Sequence, residues 1–407
     1  MVILETKEEL FSSLNRGIEK IVESINSEPV QDDFPDSLNR TVILRPHDKP
    51  DPDAISSSIA LSKELKKYDI DSVILFHRES PFYENKALHN ILDLKTNSKI
   101  VRYGTLLKAL GQTELERVLS SNKHLILIDT SSISQSSPDF KFLNPSIVVD
   151  HHNGNKVSYK NALKINPETG ANISFLLSYL MRDGFELDSQ STQALRISAY
   201  VGIETDTSGF LPELMSDLDY EMKEMLEAHQ TDEDKILIER IKSPEIDRDV
   251  KRLYGRALLN HDFLDDKIAI YSVPNIMKDS AAVPYMTDRF FKEDKLAKAV
   301  IVYGVVDSLE DDIRYLELVA SGRSLDPAIN MPELFEDTFY SKAIGGKRQI
   351  FSGGSSVSQT GVSRAGATLP LSNYDEYSKD DLEELWKLES KKYMGRISEK
   401  LKITKKE

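Results

Sequence analysis

Asp150, His151 and His152 stand together directly after Ile147-Val148-Val149, a short β-branched run that reads as a strand buried on both faces. Asn153-Gly154 then supplies a turn. The same construction recurs along the chain. Thr41-Val42-Ile43-Leu44 leads into His47, Asp51 and Asp53, spaced His-x3-Asp-x-Asp. Leu125-Ile126-Leu127-Ile128 leads into Asp129, and Tyr200-Val201-Gly202-Ile203 runs into Asp206. Each has a plainer reading when taken singly. An Asp after a parallel strand is often a helix N-cap, a lone His is often structural, and Asp150 could simply cap the turn that follows it. Four such strand ends converging on one edge of one sheet are different, because crowded carboxylates repel and shift toward neutral. Divalent cations resolve that conflict. Four Asp side chains bring about four negative charges, which two divalent ions balance, while His47 and His151 add neutral donors. Two cations bridged by one carboxylate make a site for in-line displacement at phosphorus.

The elements that must position these groups alternate as βαβ units do. After the first strand, residues 55–68 have the pattern of a helix packed on a sheet, and Val73-Ile74-Leu75-Phe76 makes a second strand ending in His77. Helical stretches around 84–94 and 105–120 lead to the Leu125 strand, and further helices are expected over 168–183 and 189–200. The alternation predicts a parallel sheet, whose ligands bind outside the carboxyl ends of its strands. Ahead of it, residues 4–26 carry apolar side chains at helical spacing, either packed on the main body or offered to a partner, and 27–40 is a linker. From 213 to 260 the chain is charged and helix-periodic. A second α/β pattern follows with strands at 268–273, 299–306 and 314–321, then a charged helical tail over 375–407 with Trp386 and Leu388 as packing points. The domain reading is therefore an N-terminal helix and linker over 1–39, a catalytic domain over 40–235, a helical linker over 236–262, a smaller α/β domain over 263–374, and a C-terminal helix over 375–407.

The totals narrow the function. A chain of 407 residues is too long for one ordinary core, and its 40% apolar and 29% charged content is that of a globular protein. No apolar run approaches the ~18 residues of a membrane span, and the acidic start MVILETKEELF is unlike a signal peptide, so a soluble, cytoplasmic protein is expected. With no cysteine, a metal must be held by imidazole and carboxylate, which favours Mn²⁺, Mg²⁺ or Zn²⁺. The net charge of −15 argues against wrapping long nucleic acid, whose binding is dominated by contacts to Lys and Arg. It leaves room for a small anionic substrate in a locally basic or metal-filled cleft.

HDKPDPDA, LIDTSS, VVDHHNG and GIETDTSGF together resemble the four motifs of the DHH phosphoesterase family, in the family's order, over roughly residues 40–212. In motif style they are most similar to the nanoRNase and oligoribonuclease branch, with a DHH-associated C-terminal domain. The resemblance implies two Mn²⁺ ions, with Mg²⁺ as an alternative. One would be held by His47, Asp51 and Asp129, the other by Asp53, Asp129, His151 and Asp206. Asp129 would bridge them and a bridging hydroxide would attack. Asp150 would orient an imidazole, and His152 would face the scissile phosphate.

The second domain has its own signal. Between Asp337 and Asp375 there is no acidic residue, while Lys342, Lys347, Arg348 and Arg364 fall inside a Gly- and Ser-rich stretch. Glycines let backbone N–H groups approach an anion, and Arg offers forked donors to phosphate; the alternative is a plain flexible loop. SGRS (321–324) resembles the family's serine–arginine–serine stretch, which makes Arg323 and Ser324 expected substrate contacts, with Gly353, Gly354, Ser355 and Arg364. The family's glycine motif carries a histidine, whereas FSGGSSVSQTGVSRAGATLP (351–370) has none. That departure leaves the metal chemistry untouched and bears on the substrate. The expected activity is a Mn-dependent phosphodiesterase that shortens single-stranded oligonucleotides, as in nanoRNA degradation, with no long duplex and no membrane as partner, and a homodimer compatible with the resemblance. Alternatives are a cyclic-dinucleotide phosphodiesterase, a 3′,5′-bisphosphate nucleotide phosphatase, and a catalytically silent nucleotide sensor or scaffold.

Overall fold

Successive side chains on a strand serve opposite faces, and the first strands of the chain use both. In β1 (Val42–Pro46), Val42 and Leu44 join one hydrophobic core and Ile43 joins another. The computed structural model describes residues 6–27, 40–47, 50–76, 87–88, 99–121, 124–130, 145–152, 159, 161–243, 246–264, 267–294, 296–310, 313–326, 328–335, 338, 355–357, 363–371 and 378–404. The chain divides into two compact units, with the division at 244/245.

The first unit is built on β1, β2 (Ser72–Phe76), β3 (Lys99–Arg102), β4 (Leu125–Ile128), β5 (Ile147–Val149) and β6 (Leu163–Ile165). Their order across the sheet is β3-β2-β1-β4-β5-β6, and every neighbouring pair is parallel. This is a doubly wound sheet whose order reverses between β1 and β4. Helices Lys7–Ser27, Pro52–Lys67, Asn172–Arg182 and Gln193–Asp206 pack on one face, while Tyr103–Leu110 and Gln112–Ser121 cover the other. The helix Lys7–Ser27 buries Phe11, Leu14, Ile18, Ile21 and Ile25 in the main core. Its Gly17 lies so close to Leu163 and Ile147 that a Cβ would come within 2.7 and 2.9 Å of them.

The α/β reading is the fold observed, with two differences of detail. β3 and β6, both short, were not anticipated. Tyr200–Ile203 is not a strand but the last turns of helix Gln193–Asp206. The expected helix over 84–94 and the linker over 27–40 lie mostly outside the described residues. The charged stretch after 213 forms the helices Asp217–His229, Asp232–Lys242 and Arg248–Leu258. Ile238 and Ile241 belong to the first unit's core, Val250 and Ala257 to the second's.

The second unit is built on a mixed sheet, also of six strands. β7 (His261–Leu264), β8 (Ile268–Ser272), β9 (Ala299–Glu310), β10 (Ile313–Ser324), β11 (Ser355–Val357) and β12 (Ser363–Pro370) run in the order β11-β12-β10-β9-β8-β7, with only β8 and β9 parallel. Helix Ala282–Glu293 packs on one face, and helix Lys379–Thr404 covers the other with Leu382, Trp386, Tyr393 and Ile397. Among the described residues, no helix is long and apolar enough to cross a membrane.

Candidate metal centre

His47 follows β1 and Asp129 follows β4. Pro46 is paired with Ile128 in the register, so these two residues leave the sheet side by side where the strand order reverses. Asp129 adopts a left-handed backbone, φ 54°, and its N–H donates to the Val149 carbonyl of the neighbouring strand at 2.8 Å. Strained backbone of this kind concentrates at functional positions. Here it turns the carboxylate into the rim.

Asp51 is the N-cap of helix Pro52–Lys67, with Pro52 at the favoured first position. One Asp51 oxygen accepts from the Ala54 N–H at 3.0 Å, and the other lies 3.7 Å from His47 Nε2. Asp53, one turn further in, is completely buried. Its two oxygens accept from the N–H groups of Asn172 and Ile173, each at 2.8 Å, so it caps a helix to which it does not belong.

Asp206 ends helix Gln193–Asp206 and reaches the site because of Gly202, one turn before it. A Cβ on Gly202 would stand 2.8 Å from Ser56 Oγ and 3.1 Å from Asp53 Cα. Glycine alone lets this helix approach helix Pro52–Lys67 closely enough to bring Asp206 to Asp53. The position expected of a strand end is thus reached by a helix end.

His151 and His152 follow β5. The Nδ1 of His151 is 3.0 Å from the Thr169 carbonyl. A carbonyl can only accept, so Nδ1 carries the proton and Nε2 turns its lone pair inward. That Nε2 lies 3.2 Å from Asp206, 3.3 Å from Asp129 and 3.9 Å from Asp53. His152 is held differently: its Nδ1 donates to Asp150 at 2.8 Å. Asp150 therefore orients the second imidazole rather than the first.

Three overlapping groups of ligand atoms result. Asp53, Asp129, His151 and Asp206 each present one such atom within 4.8 Å of the others, as do His47, Asp51 and Asp129, and also Asp129, His151 and His152. Asp129 belongs to all three, and it is the one residue that the first two share. Burial pushes the Asp53 and Asp129 carboxyls well above the ordinary Asp range, and neighbouring carboxylates add to the rise. Burial opposes charge on His151 as well, but Asp129 and Asp206 outweigh it and raise its pKa. For Asp150 burial is overcome by His152, which keeps the carboxyl below its usual value and ionised. No backbone N–H of the described residues reaches either oxygen of Asp129, whose neighbours are the imidazoles of His151 at 3.3 Å and His152 at 3.4 Å. Buried, crowded carboxylates set beside imidazole nitrogens fit a pair of divalent cations with a preference for N and O ligands.

The expected substrate contacts lie in the second unit. Arg323, on β10, is ion-paired through Nε to Asp288 at 2.9 Å, and its Nη1 donates to the Gly322 carbonyl at 3.1 Å. The Ser324 hydroxyl is buried and donates to the Asp326 carbonyl at 3.2 Å. The register sets Arg364 of β12 directly opposite Arg323, and Ser355 of β11 opposite Ala365. Gly353 and Gly354, like Lys342, Lys347 and Arg348, lie outside the described residues. Thr169 and the Asn172–Ile173 N–H groups were missed in the sequence. They act through backbone atoms, which no residue type announces.

Fold and centre together define a doubly wound α/β domain with a buried carboxylate–imidazole rim at its switch point. Residues 41–203 match the model of the DHH family, N-terminal domain. An uncharacterized protein of Methanocaldococcus jannaschii is 28% identical over 298 residues, which are 73% of this chain and 55% of that protein. The chain spans about half the length of this curated relative. Among solved structures, an exopolyphosphatase-related protein from Bacteroides fragilis is similar in fold, with a TM-score of 0.61 at 15% identity over 96% of this chain and 98% of that one.

Proposed function

We propose that this protein is a divalent-metal-dependent phosphoesterase, and more narrowly a Mn²⁺-dependent phosphodiesterase that removes nucleotides from short single-stranded oligonucleotides in the cytoplasm. The observation that supports the reading is the sharing of Asp129 by two ligand groups at the switch point of the sheet. When bound, two divalent cations would supply stabilisation of the attacking and leaving oxygens of an in-line displacement at phosphorus. His47, Asp51 and Asp129 would hold one, and Asp53, Asp129, His151 and Asp206 the other. His152, fixed at Nδ1 by Asp150 and still partly accessible, has Nε2 left to carry a proton to the leaving oxygen. The Arg323–Arg364 pairing, with Ser355 on the adjoining strand, supports a phosphate-binding role for the second unit.

The test is a screen of the purified protein with Mn²⁺ against labelled oligomers of graded length, cyclic dinucleotides, a 3′,5′-bisphosphate nucleotide and polyphosphate. Stepwise release of mononucleotides from the shortest oligomers is expected. Turnover of polyphosphate alone would move the substrate class. Bound Mn²⁺ with no turnover on any of these compounds would favour a nucleotide sensor instead.

A further inference from the structure

Helix Asp217–His229 begins with a capping box, in which Asp219 and Ser216 bond each other reciprocally. The Ser216 N–H and hydroxyl donate to Asp219 Oδ2 at 2.7 and 2.6 Å, and the Asp219 N–H returns to Ser216 Oγ at 3.2 Å. A cap needs nothing more. Yet the Asp219 carboxylate, completely buried, accepts three further bonds, all from one segment. They come from the Gly170 N–H at 2.6 Å, the Ala171 N–H at 3.2 Å and the Ser174 hydroxyl at 2.6 Å. The approach requires glycine: a Cβ on Gly170 would fall 2.2 Å from the Leu214 carbonyl oxygen and 2.9 Å from Asp219 Oδ2.

The same segment orients two of the cation ligands. Its Thr169 carbonyl accepts a hydrogen bond from His151 Nδ1–H, and its Asn172 and Ile173 N–H groups donate to the two oxygens of Asp53. The other ligand group has a separate support, since Asp51 is held by the Ala54 N–H within its own helix.

We propose that Asp219 is a positioning residue for one of the two cations only, the one assigned to Asp53, Asp129, His151 and Asp206. This rests on the proposed cation pair. Asp219 sets the 169–173 segment, and the segment sets the ring of His151 and the carboxylate of Asp53. Outer contacts of this kind commonly change metal affinity by about tenfold to a hundredfold.

The experiment is a Mn²⁺ titration of the full chain, followed by the electron paramagnetic resonance of free Mn²⁺, with melting recorded in parallel. The wild type is expected to fill two sites. In Asp219→Asn an amide NH₂ would face donors, and one site is expected to weaken about tenfold to a hundredfold while the other is retained. Ser216→Ala removes the N-cap and leaves the bonds to Gly170, Ala171 and Ser174; it is expected to lower the melting temperature with both affinities intact. Should Asp219→Asn fail to fold, Ser174→Ala removes a single donor and is expected to weaken the same site severalfold. Two unchanged sites in the readable variant, two sites weakened equally, or an equal loss in Ser216→Ala would overturn the role of Asp219. A wild type that fills fewer than two sites would instead overturn the cation pair, and this inference with it.

Discussion

Asp129 meets two opposing demands. Its carboxylate is buried among other carboxylates, which penalises the charge, and both assigned ligand sets need that charge. Asp129→Asn keeps the shape and removes the conflict. Calorimetry in the presence of a chelator should find the variant melting at or above the wild type, while Mn²⁺ titration should find both sites weakened together. A fall in melting temperature in the chelator would show that the carboxylate has partners beyond those described. His152 separates binding from chemistry. Because its proposed work is at Nε2, outside the two ligand sets assigned to the cations, His152→Gln should lower kcat by about a hundredfold or more and leave Mn²⁺ affinity within a factor of two or so. Parallel loss of affinity would make His152 a ligand instead.

At the scale of elements, what was readable followed the strength of the local pattern. His47, Asp51, Asp53, Asp129 and Asp150–His152 each come after an uninterrupted apolar run, and the sheet presents all of them at one rim. Asp206 was placed correctly at the rim but on the wrong kind of element. Val201 and Ile203 alternate with Gly202 and Glu204 as a strand would, while the helical period of Ala194, Leu195, Ile197 and Val201 becomes visible only over the full 193–206 span. β3 and β6 were missed because three or four residues at a sheet edge carry too little periodicity. Asp219 advertises its capping box locally as Ser-x-x-Asp, but its other partners lie 45 to 49 residues away and only the fold brings them close. Two predictions belong here. Gly202→Val should separate helices Pro52–Lys67 and Gln193–Asp206, cost about 1–3 kcal/mol in thermal melts, and weaken Mn²⁺ binding; unchanged melting would mean that the helices approach without needing glycine. Asp234 ties helix Asp232–Lys242 to Gln193 at 2.7 Å and Arg196 at 2.9 Å. Burial works against its charge, but the Thr231 N–H, Gln193 and Arg196 together lower its pKa below 3.8. A lowered acid stabilises the fold above its unfolded value and stops doing so as the pH falls through the folded one. That contribution should therefore persist to about pH 4 and vanish below it. Asp234→Ala, which strands Arg196, should cost about 3–5 kcal/mol at neutral pH in denaturant titrations; a loss under about 1 kcal/mol would show that water reaches the guanidinium.

At the scale of the molecule, each unit encloses its own hydrophobic cores. In the second, Trp386 stands edge-on to Tyr303 at 5.9 Å and donates from Nε1 to the Val273 carbonyl at 2.7 Å. Trp386→Ala should remove about 3–5 kcal/mol from that unit. Calorimetry should record one early transition, with Mn²⁺ binding by the first unit retained; loss of both would show that the units melt as one. The residues proposed to hold cations extend from His47 to Asp206, and the brace behind them arrives only at Asp219. During synthesis, a growing polypeptide therefore offers nothing complete to a passing ion until Asp219 has left the ribosome. Occupancy would then report that the chain up to Asp219 has taken its place around the rim.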